Sequence, residues 1–175
     1  MSRSQTDVIN RSAGSRYVLA LLRLVVGFIF LWAFLDKLFG LGYSTKPAMA
    51  WINGGKPAQG FLLHLEGGPF KDFFASLASP LVDWLFMLGM LGVGLAVMLG
   101  IGLRLSAIAG TLIMALMYFA ELPGGYPDST NPVVDYHVVY ALALILFAFT
   151  YAGDTLGFGR PWRGWSLVKA APWLI

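Results

Sequence analysis

The chain has 175 residues, the length of one ordinary domain, yet 58% of them are apolar and 12% are charged, about half the charged share of a water-soluble domain. With a mean hydropathy of +0.71, that balance excludes a disordered chain or a coiled coil and predicts residence in a bilayer. There is no cysteine, which excludes a disulfide scaffold, a CxxC redox protein, an iron–sulfur carrier and a thiolate zinc site. Any electron chemistry must use a group the chain does not itself supply.

The sequence predicts an all-α integral membrane protein, a four-transmembrane-helix bundle in one domain over 1–175. A spanning helix needs about 20 mostly apolar residues, and charges leave four such stretches. The first, over about 17–37, holds Arg23 within it and ends on Asp36 and Lys37. A cleavable signal peptide is the competing reading of this segment, but Asp36-Lys37 stands where a small-residue cleavage site would be expected. The stretch 82–103 has Asp83 at its start and no charge from Trp84 to Leu103, and 105–122 runs to a stop at Pro123. The last, 135–153, contains His137.

Between the first two spans lies a long outer loop whose short amphipathic pieces, AMAWI, GFLLHL and FKDFFASLA, are separated by Gly-Gly and Pro breaks. These read as short interfacial helices capping the outer face. Gly92, Ala96 and Gly100, with Gly102, Ser106 and Gly110, repeat small residues at four-residue spacing and predict a tight hairpin of the second and third spans. The methionines, lacking any Cys or His partner nearby in sequence, read as core filler.

Orientation follows from Lys and Arg in the short flanks. Arg3, Arg11 and Arg16, Arg104 between spans two and three, and Arg160, Arg163 and Lys169 in the tail all mark one side. The 121–135 connection carries Glu121, Asp128 and Asp135 and no basic residue. The reading is a multi-pass protein of a prokaryotic plasma membrane with both termini cytoplasmic. The +3 formal charge thus reports topology and gives no ground for nucleic acid. The tail, 154–175, interleaves Trp162, Trp165 and Trp173 with Arg160, Arg163 and Lys169, the make-up of a strap in the headgroup region or of a partner-docking segment.

Under this topology Asp36, Lys37, Asp83, Glu121, Asp135 and His137 converge on the outer side. Ionisable groups near a membrane interior are costly and are read as functional by default. His137, Tyr140, Leu144, Phe147 and Tyr151 share one helical face, a polar-topped aromatic groove. Asp135 reads as a helix cap, as an orienter of His137, or as both; the Asp36-Lys37 pair reads as a boundary mark or as part of a site. Arg23 either snorkels to headgroups or pairs inside the bundle. His64 falls in a loop, so a bis-His haem between facing helices is not suggested. No dinucleotide fingerprint, Walker loop or nucleophile elbow is present. No haem, iron–sulfur or nucleotide cofactor is expected.

The segments LLRLVVGFIFLWAFLDKLF, WINGGKPAQGFL, GGPFKDFFASLASPLVDWLF, LGVGLAVMLGIGLRLSAIAG, NPVVDYHVVYALALI and GDTLGFGRPW resemble the DoxX/DoxD family of small four-helix membrane proteins. The resemblance covers about 17–162 and is nearest to the DoxD-like branch associated with thiosulfate:quinone oxidoreductase. It implies oxidation of thiosulfate to tetrathionate with electrons passing to a membrane quinone. Lys37 would then attract the dianion. His137, oriented by Asp135, would be the general acid; with Lys37 these are the catalytic candidates. Tyr140, Phe147, Trp84 and Arg23 are the quinone-binding candidates. Quinone is the implied cofactor, and the implied partners are the lipid membrane and other membrane subunits of a redox or respiratory complex. The alternative is a non-catalytic accessory subunit of a larger respiratory-chain membrane complex. A transporter would need a broken helix or an internal repeat, and neither is visible.

Overall fold

A computed structural model describes residues 4–122 and 133–175, and among these every regular element is helical. In chain order the α-helices are α1 Gln5–Ile9, α2 Ala13–Phe39, α3 Pro57–Leu63, α4 Lys71–Ser76, α5 Pro80–Leu99, α6 Leu103–Ala120, α7 Tyr136–Phe149, α8 Gly159–Gly164 and α9 Ser166–Ala170. Short 3-10 turns add Pro47–Met49, Trp51–Asn53, Ala152–Asp154 and Pro172–Leu174. Three helices, α2, α5 and α6, are long and apolar enough to cross a membrane. The chain is therefore an all-helical, multi-pass membrane protein.

Local chemistry sets the helix ends, and it moves several of the predicted ones. α2 is longer at both ends than the predicted 17–37: the Ser12 side chain caps its amino terminus, and Gly40, at φ 65°, caps its carboxy terminus. Its 27 residues span roughly 40 Å, more than the hydrocarbon thickness of about 30 Å. The turn between the second and third long helices was expected at Arg104. It is instead Gly100–Gly102, with Gly100 at φ 74° and Gly102 at φ 56°. Left-handed backbone suits only glycine at low cost, so the helix predicted to reach 103 ends at Leu99. α6 ends at Ala120; the predicted stop at Pro123 lies outside the described residues, as do Arg3 and Asp128. α7 ends at Phe149, where 153 was predicted, because Tyr151 adopts φ 50°. Its 14 residues rise only about 21 Å.

α2, α5, α6 and α7 pack in a closed ring of neighbours, with the most extensive contacts between α2 and α5 and between α6 and α7. A Cβ built on Gly27 would lie 2.8 Å from the Met98 backbone nitrogen, and one on Gly94 would lie 2.6 Å from that of Leu31. These reciprocal contacts make α2 and α5 antiparallel and bring their backbones together. The predicted hairpin of α5 and α6 forms through the Gly100–Gly102 turn, but the closest backbone approach is not at its small residues: a Cβ on Gly92 would meet nothing within 4 Å, and one on Gly110 would strike Leu144 of α7 and lie 3.2 Å from the Val93 side chain of α5. Phe30, Phe34, Met87, Met90, Val97, Met114, Leu144 and Phe147 fill the interior. The outer faces are apolar too, with Leu81, Leu85, Leu88, Ile108, Leu112, Leu142 and Phe149 exposed, as helices facing lipid require.

The alternating directions create two poles. One gathers the start of α2, the Gly100–Gly102 turn and the end of α7; the other gathers the end of α2, the starts of α5 and α7 and the end of α6. α1 is tied to the first pole, where the Thr6 hydroxyl donates to the Thr150 carbonyl at 2.9 Å and to that of Tyr151.

Candidate functional site

At the pole where α6 ends and α7 begins, Asp135 caps α7. Its Oδ1 accepts the backbone N–H of His137 at 2.9 Å and of Val138 at 3.3 Å, and its Oδ2 lies 2.7 Å from His137 Nδ1. Both sequence readings of Asp135, cap and orienter, thus describe one carboxylate using its two oxygens separately. Glu121, the last residue of the α6 cap, places Oε2 3.9 Å from the same Nδ1. The His137 side chain is fully buried, while those of Glu121 and Asp135 keep 15% and 22% of their exposure. The Tyr136 ring tilts against the imidazole with centroids 4.1 Å apart. His137 Nε2 is buried and has no hydrogen-bond partner among the described residues. An unpaired buried polar atom is destabilising by about 1–3 kcal/mol, so a hydrogen-bond partner supplied to this nitrogen would be stabilising.

Donor atoms of Glu121, Asp135 and His137 all lie within 4.8 Å of one another, a set that could hold a cation. Two carboxylates around one imidazole nitrogen also suit a shared proton, or the support of an imidazolium.

The remaining predicted residues are spread over the molecule. Lys37 Nζ donates to Ser44 Oγ at 3.3 Å, and its neighbour Asp36 accepts from the Tyr43 and Ser44 backbones at 3.2 and 2.9 Å and from Ser44 Oγ at 2.7 Å. The pair therefore closes the turn after α2. Trp84 is 56% exposed and stands edge-on to Trp51, with centroids 4.6 Å apart. Tyr140 packs against the core beside Tyr136. Phe147 is fully enclosed in the core, ten residues or about 15 Å along α7 from His137, too far to share one ligand ring with it.

Arg23 belongs to the opposite pole. Its guanidinium is fully buried and donates to the Val97 carbonyl, to those of Met98 and Leu156 at 2.7 Å each, and to that of Thr155 at 3.5 Å. Of the two sequence alternatives, interior pairing is what the fold contains. The partners are backbone carbonyls left over at the carboxy terminus of α5 and in the loop after α7, which makes Arg23 a clamp on the fold and removes it from the quinone-binding set around His137.

Several interactions had no readable signal. Asp83 Oδ1 accepts the backbone N–H of Ala58 at 2.7 Å and of Gln59 at 2.9 Å, and its Oδ2 accepts from Gln59 Nε2. Asp83 thus caps α3 from 25 residues away. Asp154, 7% exposed, pairs with Arg163 at 2.7 Å and accepts the Thr6 N–H. Arg104 donates to the Pro172 carbonyl at 2.9 Å, and Trp162 Nε1 donates to that of Leu174 at 2.7 Å, so the tail folds back on the first pole. Outside the spans, Asp7 sits between Arg16 and Arg160. Hydrogen bonding from Ser4 is the largest influence holding its carboxyl below the usual carboxylate range, and the two arginines add to it.

No family model, no curated protein and no solved structure matches the chain.

Proposed function

We propose that this protein is a DoxX/DoxD-like, four-span integral membrane subunit of a quinone-linked oxidoreductase of the thiosulfate:quinone type, with its site on the outer face. α7 serves as the fourth span: it carries no Asp, Glu, Lys or Arg, and it exposes Val139, Leu142, Leu146 and Phe149 on its outer side. Arg11, Arg16, Arg104, Arg160, Arg163 and Lys169 belong to the first pole or to the segments folded onto it, which the positive-inside tendency assigns to the cytoplasm of a prokaryotic cell. Both termini then lie in the cytoplasm, and Glu121, Asp135 and His137 lie outside.

The observation that carries the redox reading is the buried His137, tethered through Nδ1 to Asp135 and unpartnered at Nε2. Two thiosulfate ions joining through a new S–S bond release two electrons; a quinone accepting them takes up two protons. His137, supported as an imidazolium by Asp135 and Glu121, supplies one of these protons through Nε2, and water of the outer aqueous phase supplies the other. Lys37, near the end of α2 on the same pole, draws in the dianion.

Complete burial of His137 favours the second reading, a non-catalytic accessory subunit in which the histidine is structural. Thiosulfate-dependent reduction of a short-chain quinone, measured on purified membranes with the co-purifying subunits present, separates the two. Loss of turnover in a normally assembled His137→Ala or Lys37→Ala variant supports the redox subunit; unchanged turnover in both overturns it.

A further inference from the structure

Asp135 fixes which nitrogen of His137 carries the hydrogen. Its Oδ1 faces two backbone N–H donors and its Oδ2 faces Nδ1. An ionised carboxylate accepts and cannot donate, so the short 2.7 Å contact requires hydrogen on Nδ1. Glu121 lies on the same side of the ring, at 3.9 Å, and favours the same arrangement. A neutral imidazole has only one N–H, so Nε2 is then a bare lone pair, enclosed and without a donor among the described residues.

We infer that His137, in its neutral form, makes this site selective for the reduced, hydroxyl-bearing hydroquinone over the quinone, an assignment that rests on the quinone reading above. A hydroquinone O–H donates directly to the bare Nε2. A quinone carbonyl would set two acceptors against each other and leave both unsatisfied in a low-dielectric interior. The proposed reaction ends in this state: once an imidazolium has given its Nε2 proton to the ring oxygen, Nδ1–H remains on Asp135 and the new hydroxyl faces the vacated lone pair. The fold therefore holds the product-binding form.

With only two histidines in the chain, ¹⁵N-histidine NMR of the full-length protein in detergent, with His64→Gln to leave one signal set and EDTA present to keep cations off Nδ1, reads the tautomer directly. Hydrogen on Nδ1 is expected. A short-chain benzohydroquinone and its quinone are then titrated under anaerobic conditions, and the hydroquinone should bind about tenfold tighter, the scale of one buried hydrogen bond made or left unmade. Asp135→Asn should invert the preference. The cap demands an acceptor towards the His137 and Val138 N–H groups, so the amide NH2 must point at Nδ1, and the ring hydrogen moves to Nε2. Hydrogen on Nε2 in the wild type, or quinone binding at least as tightly as hydroquinone, overturns the inference whether or not the variant folds. Binding of neither form by a protein with Nδ1–H removes the quinone reading itself, and the inference falls with it.

Discussion

Replacing Arg23 with methionine keeps much of the side-chain volume and removes every donor of the clamp at the first pole. The wild-type guanidinium serves the carbonyls of Val97, Met98 and Leu156, with Thr155 at the limit of bonding distance. Val97 also accepts from the Gly100 N–H, so the groups left with the poorest alternatives are Met98 and Leu156. At about 1–3 kcal/mol for each orphaned buried group, two carbonyls give a loss of roughly 2–6 kcal/mol. Relief from burying a cation offsets part of it, leaving about 2–4 kcal/mol as the expected destabilisation. Arg23→Lys keeps the charge but loses the planar fork that reaches two segments at once, so it should fall between. The assay is equilibrium unfolding in mixed micelles, followed by tryptophan fluorescence and helical ellipticity. The order wild type, then Lys, then Met is expected. A methionine variant within about 0.5 kcal/mol of wild type would refute the clamp and return Arg23 to the headgroups.

The other predictions concern packing, capping and charge. Gly94→Leu forces α2 and α5 apart, because its Cβ would already lie 2.6 Å from the Leu31 backbone, and should be destabilising by about 1–3 kcal/mol; Gly92→Ala, with open space around it, should be neutral or slightly stabilising. Equal effects in the same micelle assay would contradict the assigned interface. Asp83→Ala uncaps α3 and should cost about 1–2 kcal/mol, seen first as faster hydrogen exchange at Ala58 and Gln59. The Asp7 carboxyl is held below its usual range, so its contribution to docking α1 is whole above the unfolded value and is lost as pH falls through the lowered folded one. The difference in α1 exchange protection between wild type and Asp7→Asn should therefore close on acidification and persist at neutral pH.

Length, apolar runs and glycines made the long helices legible, because a bilayer leaves little choice but helix for an uncharged run of twenty residues. What those signals could not give was pairing. Gly92, Ala96 and Gly100 repeat at four-residue spacing, yet the closest approach of α2 and α5 runs through Gly27 and Gly94, which belong to no such repeat, and periodicity within one helix does not say which neighbour faces it. Ends shifted wherever a cap outweighed hydropathy, at Ser12, Gly40 and the Gly100–Gly102 turn. At the site, Asp135 and His137 were readable because they are two residues apart on one helix start, and Glu121 because it closes the preceding helix. The partners of Arg23 and Asp83 were not, since an arginine bound to carbonyls 74 to 133 residues away and an aspartate capping a helix 25 residues upstream leave no local pattern.

That difference also decides where chemistry can reside. Arg23, Asp36, Asp83 and Asp154 are all buried ionisable groups, and each is the hub of a structural connection: α5 to the loop after α7, α2 to its own following turn, α5 to α3, and α1 to the tail. Burying charge is justified energetically only when it is so engaged, and groups this engaged have little freedom to exchange protons with a ligand. Arg23 Nε also lacks an acceptor, but it belongs to a guanidinium whose other nitrogens are anchored, and it cannot release its proton at any physiological pH. His137 differs on both counts. One nitrogen is anchored and the other has no partner among the described residues, and an imidazole, unlike a guanidinium, can carry its hydrogen on either nitrogen. Among the buried ionisable groups of the described residues, His137, between Asp135 and Glu121, thus combines an anchored nitrogen with one that no structural connection uses.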